Sequence, residues 1–518
     1  MELENDKSRE AISNEQTSPA NAYSQSTIDK IATIPTYLTF DDVLLLPQSS
    51  DILPSAVSTK TQFTRNLSLN VPFVSAAMDT VTESEMAIAM AKSGGIGVLH
   101  RSMDPISQAD EVRKVKRASS LVIRQPITVN PNQTILEART LMRANNVHGL
   151  PVIDEHGSLV GILTTRDMRS TDDLDEQVEK VMTTNLITAT EPISPEDARE
   201  IMVKNKIEKL PLVKNARLSG LMTLRDISQT DKFPLANTDS EGHLAVAAAV
   251  GTDASTDERV EELANAKVDV IVIDTAHGHS SRVIQTALRV RKDFPELQLI
   301  VGNIATAQAA KDLIDIGVDA IKVGIGPGSI CTTRVVAGVG APQLSAIMDV
   351  FSVTQSTGVP IIADGGIRHS GDAVKALSAG ASTVMLGTML AGCKESPGEQ
   401  IMREGHLYKS FRGMGSLGAM KRGSRDRYFQ DHMEADEDLE SKLVPEGVEG
   451  MVPFKGDTRS VLYQLAGGLR SGMGYIGADT ILNMSTQAQF VRVTPAALRE
   501  NHPHDVIITH EAPNYSGS

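Results

Sequence analysis

The feature that most constrains the fold is a stretch between residues 245 and 387, in which six short apolar runs alternate with helix-like segments. Near-continuous apolar strands that alternate with helices are typical of a parallel sheet covered on both faces. Two further apolar runs, at residues 72–77 and 96–100, raise the number of predicted strands to eight. Eight such units predict an α/β fold, the closed (β/α)8 or TIM barrel, with an open doubly wound sheet as the alternative.

A pair of similar segments interrupts the alternation after the second predicted strand. Residues 159–167 match residues 218–226 in sequence. Two copies are too few for a solenoid, which is built from more repeats. We therefore interpret residues 121–178 and 179–232 as a paired module inserted into the barrel.

Two other stretches lack the alternation. Residues 1–30 are polar with little periodicity, which predicts a flexible tail. Residues 405–455 are rich in glycine and charge, and long irregular segments inside compact enzymes are usually lids or functional loops. We therefore expect the barrel to comprise residues 31–120 and 233–518, with a mobile lid at about 405–455.

Composition narrows the class of ligand. The formal net charge of −15 argues against a nucleic acid or an anionic membrane as the main partner, and the aromatic fraction of 3% disfavours a platform for stacked bases. No apolar run approaches the length of a membrane span, and two cysteines exclude a disulfide scaffold and a cysteine-rich metal site. A small anionic ligand in a local pocket is compatible with this charge, and we expect a cytoplasmic protein.

Polar and glycine residues follow the predicted strands, at the end of a barrel where active sites lie. The sixth strand runs into a glycine loop, residues 324–334, which holds Cys331. Glycines allow a close approach to a ligand, and a thiolate is a strong nucleophile once nearby cations or backbone donors lower its pKa. We therefore predict that Cys331 is a nucleophile and that Cys393, just past the eighth strand, is structural.

Three further strand ends predict nucleotide binding. Gly365-Gly366 and Gly387-Thr388 follow the seventh and eighth strands, where barrels commonly bind phosphate through backbone N–H groups. The hydroxyl of Ser329 adds a donor nearby. Asp364 offers two acceptor oxygens to a ribose diol, and Asp274 offers the same to a second nucleotide unless it only caps a helix.

Several motifs together resemble the IMP dehydrogenase/GMP reductase family, and in particular its IMP dehydrogenase branch. They are the glycine loop, residues 411–416, and Asp426-Arg427-Tyr428, with residues 39–45 and 78–83 near the start. The inserted module resembles a tandem pair of CBS (cystathionine-β-synthase-type) regulatory domains. The resemblance extends from about residue 36 to the end of the chain.

The resemblance implies NAD-dependent oxidation of inosine 5′-monophosphate (IMP) to xanthosine 5′-monophosphate, the committed step of guanine nucleotide synthesis. Cys331 would attack C2 of the hypoxanthine ring, hydride would leave for NAD, and water would release the product from a covalent thioimidate. Arg427 would activate that water, with Tyr428 and Thr333 beside it. An arginine base is chemically unusual, because a guanidinium is normally never deprotonated.

The resemblance also implies sets of ligand-binding residues and an assembly, either a homo-tetramer or an octamer of two tetramers. The residues implied for the substrate are Ser329, Asp364, Gly365, Gly366, Gly387, Thr388, Phe411, Gly413, Met414, Gly415 and Glu446. Those implied for NAD are Asp274, Asn303, Gly324 and Gly326. Those implied for a potassium ion are Gly326, Gly328 and Cys331, with Glu500, Asn501 and His502 of a neighbouring subunit. Those implied for regulatory purine nucleotides are Thr164, Asp167, Thr223 and Asp226.

The sequence departs from the family pattern at two positions and leaves two alternatives. Phe411 replaces a frequent tyrosine, which removes one hydroxyl from the phosphate site, whereas Thr388 replaces a frequent serine and keeps its hydroxyl. GMP reductase shares the barrel and the cysteine loop but lacks the arginine–tyrosine motif of the lid. A catalytically inactive, nucleotide-sensing barrel is disfavoured by an intact Cys331, Thr333 and Arg427.

Overall fold

The computed structural model describes residues 34–118, 122–124, 126–145, 147–215, 217–225, 227, 232–431 and 439–515. The predicted tail lies outside these residues. The chain divides into two units, Met1–Tyr37 and Leu38–Ser518. Of the first unit only residues 34–37 are described, without helix or strand, and the following paragraphs concern the second.

Within the described residues, eight parallel strands close into a barrel, which confirms the predicted fold and excludes the open sheet. The barrel closes because the eighth strand pairs with the first, with Met385 opposite Val74. The strands are β1 (Phe73–Ser75), β2 (Ile96–Leu99), β3 (Val246–Val250), β4 (Val270–Asp274), β5 (Gln298–Ile304), β6 (Ala320–Val323), β7 (Ile361–Asp364) and β8 (Thr383–Leu386).

Alternate residues of these strands fill the barrel interior. Ala247 and Ala249 of β3 and Val270 and Val272 of β4 belong to one buried cluster, as the two-residue period of a strand requires. The residues between them are also buried, because helices cover the outside of the barrel. This double burial explains why the strands read as continuous apolar runs.

The barrel helices are α1 (Ser84–Lys92), α2 (Pro105–Arg117), α3 (Thr256–Asn265), α4 (Ser281–Asp293), α5 (Ala307–Ile316), α6 (Gln343–Thr354), α7 (Ser370–Ser378) and α8 (Thr458–Ile476). Four of the eight barrel helices, α2, α4, α5 and α8, begin at a side-chain cap. At the start of α2, Asp104 accepts a hydrogen bond from Ser107 N–H at 2.9 Å, and Pro105 takes the first helical position. Shorter helices lie at Thr333–Val336, Thr388–Ala391, Ile481–Gln487 and Ala497–Glu500.

The insert between α2 and β3 has two halves with separate cores, and the matched residues Leu150 and Leu210 are both fully buried. The first half contains helices Ile135–Ala144 and Val178–Val181 and strands Gly149–Ile153 and Leu159–Thr164. The second contains helix Pro195–Asn205 and strands Ala189–Thr190, Lys209–Lys214 and Arg217–Thr223. Among the described residues, no helix combines the length and the apolar character needed to cross a membrane.

The predicted lid is less irregular than its composition indicates. An antiparallel sheet of Gln400–Arg403, His406–Arg412 and Glu449–Pro453 frames it. Between these strands lie the short helices Leu417–Ala419, Met420–Ser424, Arg425–Tyr428 and Leu439–Lys442. Two other strand pairs join Val43–Leu45 to Phe490–Arg492 and Thr61–Gln62 to Ser68–Leu69.

Candidate active site

A cavity of 980 Å³ lies at the carboxyl-terminal ends of the barrel strands. Its volume falls within the range of small-molecule sites, roughly 300–1,000 Å³. It brings together all of the residues predicted for catalysis, substrate and NAD, with Gly328 and His502 from the set predicted for potassium. Those that line it are Asp274, Asn303, Gly324, Gly326, Gly328, Ser329, Cys331, Thr333, Asp364, Gly365, Gly366, Gly387, Thr388, Phe411, Gly413, Met414, Gly415, Arg427, Tyr428, Glu446 and His502.

Cys331 lies in the loop that follows β6. Its partly buried thiol donates a hydrogen bond to the hydroxyl of Thr333 at 3.2 Å. The loop is fixed against the C-terminal part of the lid, since Thr332 N–H donates to the carbonyl of Glu446 at 3.0 Å. The predicted nucleophile is therefore held in the cavity wall both by its own loop and by the end of the lid.

Gly324 is required where β6 passes into this loop. Its φ is +150°, and a Cβ at this position would lie 2.1 Å from the backbone oxygen of Asp364. Because that oxygen belongs to the neighbouring strand β7, it has little freedom to move. Glycine therefore lets the cysteine loop leave the barrel directly beside the aspartate predicted to bind ribose.

Arg427 of the lid forms an ion pair with Asp274 at the end of β4, and its carbonyl accepts a hydrogen bond from Ala276 N–H at 3.1 Å. Burial lowers the pKa of the Arg427 guanidinium, but the Asp274 carboxylate outweighs this effect and holds that pKa above its ordinary value. Arg427 is therefore a cation in this arrangement, and its action as a base requires that the contact with Asp274 be broken.

Tyr428 packs beside Arg427 in the same short helix of the lid. Burial raises the pKa of its phenol to about 12, so the hydroxyl is protonated at neutral pH. A Cβ on Gly415 would lie 2.7 Å from Cζ of the Tyr428 ring. Gly415 thus provides the space in which the tyrosine docks next to the residues predicted to contact the base.

Lys322 is a site residue that the sequence analysis missed. This side chain on β6 is almost fully buried, and its Nζ lies 2.8 Å from Asp274 and 2.6 Å from Asp364. It also donates to Asn303 Oδ1, while Asn303 Nδ2 donates to Asp364 at 2.9 Å. One cation therefore joins the two carboxylates predicted to bind two different nucleotides. The sequence did offer a signal for it, a lysine inside an otherwise apolar strand, since lysine is rarely buried unless it is paired.

Hydroxyl groups and glycines lie together at the predicted phosphate end of the cavity. Ser329 Oγ and Thr388 Oγ1 are 2.5 Å apart, and Gly365 and Gly366 have φ values of +93° and +83°. Backbone N–H groups in turns of this kind form anion-binding concavities. Phe411 is buried with its ring tip near Gly387, where an added Cβ would lie 3.9 Å from it.

A sequence model described as "IMP dehydrogenase / GMP reductase domain" matches residues 37–504. The chain belongs to the IMP dehydrogenase/GMP reductase family. Proteins named inosine-5′-monophosphate dehydrogenase are 55% identical over 483 residues in Aquifex aeolicus and 52% identical over 481 residues in Halalkalibacterium halodurans. Each alignment covers 92% of this chain, with 97% and 98% of the respective relative.

A solved member of the family has the same fold. It is a GMP reductase variant from Trypanosoma brucei in complex with guanosine 5′-monophosphate. The two structures superpose with a TM-score of 0.83 and 42% sequence identity, over 92% of this chain and 100% of the other. Members of both branches of the family thus resemble this chain over almost its whole length.

The carbonyl groups expected to bind potassium in this family member belong to Gly326, Gly328 and Cys331. Backbone carbonyls are the donors that potassium sites in proteins use. The loop has the required sharp turns, because Gly326 has a φ of +81° and the carbonyl of Gly328 accepts a hydrogen bond from Cys331 N–H at 3.1 Å. The donor type therefore fits a monovalent cation.

The C-terminal residues expected from a neighbouring subunit are only partly at the cavity of this chain. His502 lines the cavity, whereas Glu500 and Asn501 are exposed and lie outside its lining. The His502 ring lies 6.1 Å from the ring of His369, and its Nδ1 lies 3.0 Å from the hydroxyl of Tyr515. A single chain therefore brings one of the three residues to the site.

The residues predicted to bind regulatory nucleotides lie in the insert, outside the cavity lining. Asp167 accepts hydrogen bonds from the N–H and the hydroxyl of Thr164 at 2.7 and 2.6 Å and from the hydroxyl of Thr183 at 3.1 Å. Thr223 ends the last strand of the second half, and Asp226 lies outside the described residues. The first half thus has its threonine and aspartate already paired.

Proposed function

We propose that the chain is an IMP dehydrogenase, an NAD-dependent enzyme that oxidises IMP to xanthosine 5′-monophosphate. The observation that carries this proposal is the meeting of Cys331 with the lid residues Arg427 and Tyr428 at one cavity. The relatives of 52–55% identity that carry the IMP dehydrogenase name support it. It places the chain at the committed step of guanine nucleotide synthesis.

Cys331 performs the covalent steps. Its sulfur adds to C2 of the hypoxanthine ring, and the hydride that leaves C2 is transferred to NAD, which acts as the oxidant when bound. This leaves a thioimidate on the cysteine. Water then forms a bond to C2 and the sulfur leaves, so that IMP, NAD⁺ and water give xanthosine 5′-monophosphate, NADH and a proton.

Asp274 decides when the two halves of the reaction occur. We assign it to the NAD ribose, with Asn303, Gly324 and Gly326 nearby. In the described arrangement its carboxylate already contacts Lys322 and Arg427. NAD therefore binds after Arg427 has moved away, and the lid returns once NADH has left.

The substrate has its own set of residues in the same cavity. We assign its phosphate to Ser329, Thr388 and the glycines of the β7 and β8 ends, and its ribose to Asp364. Met414 and Gly415 lie against the base, with Gly413 and Glu446 beside them. Because Phe411 has no hydroxyl, this chain makes one phosphate contact fewer than a member with tyrosine there.

Potassium, regulation and assembly complete the proposal. The carbonyls of Gly326, Gly328 and Cys331 would hold a potassium ion together with Glu500, Asn501 and His502 of a neighbouring chain. This sharing of a site supports a homo-oligomer, either a tetramer or an octamer of two tetramers. The insert is a tandem CBS module that binds purine nucleotides through Thr164, Asp167, Thr223 and Asp226.

The test follows NADH formation by absorbance after mixing the protein with IMP, NAD and potassium. We expect a signal from the wild type, none from Cys331→Ala, and a trapped covalent adduct from Arg427→Ala. If the protein instead consumed guanosine 5′-monophosphate and oxidised NADPH, it would catalyse the GMP reductase reaction. No turnover in either assay would show an inactive, nucleotide-sensing barrel.

A further inference from the structure

Two arginines of the barrel hold the lid beside the active site. Arg101, just after β2, donates to Asp426 at 2.5 Å, and both side chains are buried. Arg282, at the start of α4, donates from two nitrogens to the two oxygens of Asp431 at 3.0 and 2.6 Å. The two acidic residues flank Arg427 and Tyr428 on the lid, one on each side.

The end of β3 forms the surface on which these contacts converge. Thr252 N–H donates to Asp426 at 3.3 Å, and the Thr252 carbonyl accepts from Arg282 Nε at 3.0 Å. A Cβ on Gly251 would lie 2.2 Å from Oδ2 of Asp426 and 2.9 Å from Cζ of Arg101. Glycine at position 251 therefore leaves room for both the lid carboxylate and the barrel guanidinium, and the tighter of the two contacts is with the lid.

The two pairs differ in strength. Arg101 and Asp426 expose 7% and 3% of their side chains, so solvent and salt screen their attraction little. Arg282 and Asp431 are about one-third exposed, but two parallel hydrogen bonds fix their geometry. Removing one partner of the inner pair would leave a buried charge unpaired, so its loss should weaken docking of the lid more than loss of the outer pair.

We infer that Asp426 and Asp431 are positioning residues, which dock the lid through Arg101 and Arg282 so that Arg427 and Tyr428 serve the hydrolysis of the Cys331 adduct. The inference rests on the proposed function and extends it to four residues that lie outside the substrate and NAD sites. Hydride transfer requires Arg427 to be absent from Asp274, so it does not need these pairs. The two steps therefore respond differently when the pairs are broken.

The experiment measures the two steps separately in Asp426→Asn, Asp431→Asn and Gly251→Ala. Rapid mixing gives the rate of NADH formation in the first turnover. Mass spectrometry of quenched samples gives the fraction of the protein that carries the adduct on Cys331. We expect the first turnover to stay within about twofold of wild type, while hydrolysis slows about tenfold and adduct accumulates. The double variant Arg282→Asp/Asp431→Arg is expected to recover hydrolysis relative to either single change.

Asp257→Asn is the matched control, because Asp257 pairs with Arg289 of the same helix α4 at 3.1 Å and has no hydrogen bond or ion pair to the described residues of the lid. It should behave as wild type in both steps. Equal slowing of both steps in the lid variants, or unchanged hydrolysis in all three, would overturn the inference. Absence of NADH from the wild type would instead contradict the proposed function.

Discussion

Cys331 and Cys393 differ in environment although both are free thiols. Cys393 has no exposed surface, and burial raises the pKa of its thiol to about 11. At pH 8 that thiol is almost entirely protonated, and the thiolate is the reactive form. We expect iodoacetamide to label Cys331 at least ~100-fold faster, as measured by peptide mass spectrometry. Equal labelling in the folded protein would contradict this, and labelling of both in urea is the control.

Loss of Lys322 should destabilise the fold. Lys322→Met leaves the buried carboxylate of Asp274 and the partly buried carboxylate of Asp364 without their shared cation. Removing one partner of a buried ion pair costs about 3–5 kcal/mol, so we expect that loss in the free energy of unfolding. Urea denaturation measures it, with Lys292→Met on the exposed surface as the control. A change below about 1 kcal/mol would show that the carboxylates are stabilised otherwise.

The same residue shows what the sequence could predict about the site. Cys331, Asp274 and Asp364 stand at strand ends, and the barrel topology alone places strand ends together. Lys322 stands inside a strand, where its partners depend on which strands are neighbours and on how their registers align. That information comes from closure of the barrel, with β6 between β5 and β7, and no local pattern contains it.

At the scale of an element, the cysteine loop depends on one glycine more than on the others. In Gly324→Ala the new Cβ would meet the backbone of β7, so the loop must shift. Because a displacement of about 1 Å can cost a hundredfold in rate, we expect NADH formation to fall by about that factor. Steady-state kinetics at saturating IMP measure it.

Gly338 provides the matched control within the same loop region. It also has a positive φ, +67°, but an added Cβ would meet nothing within 4 Å. Gly338→Ala should therefore cost about 1 kcal/mol of stability from backbone strain and leave the rate nearly unchanged. If the two variants lost activity equally, strain rather than the contact with β7 would explain the effect.

Elements with strong periodicity and caps could be predicted closely, and the lid could not. Helix α5, one of the helix-like segments of the predicted alternation, runs from Ala307 to Ile316, since Thr306 caps its start and Gly317 adopts a φ of +85° at its end. The strands that frame the lid are short, polar and only half-buried, so their alternation is weak. The first two strands form a tight hairpin, but the second pairs with a third strand roughly forty residues further along, which glycine and charge content does not indicate.

At the scale of the whole molecule, both ends of the insert are tied to the barrel by one buried lysine. Lys116, at the end of α2, lies 2.9 Å from Asp239 and 2.6 Å from Asp269. Asp239 lies in the segment that returns from the insert, and Asp269 directly precedes β4. Contacts within the barrel therefore fix both the segment that enters the insert and the segment that returns from it, independently of the insert itself.

This arrangement predicts that the barrel works without the insert. In a variant in which a short Gly/Ser linker replaces residues 119–231, we expect NADH formation within about threefold of wild type, because linker length adds little to the cost of closing a loop. Binding of purine nucleotides away from the active site should be lost, as measured by calorimetry. A tenfold or greater fall in rate, with the barrel still folded, would contradict this expectation.

The pairing of β1 with β8 also determines when the barrel can close during synthesis of the chain. The two strands are separated by about 310 residues, which a ribosome needs roughly 15–60 s to synthesise. Throughout that interval β1 has an open edge, the kind of surface on which nascent chains aggregate. The insert, whose contacts are local, emerges first and can fold at once. Each newly made chain thus acquires its proposed regulatory module before it has a barrel to regulate.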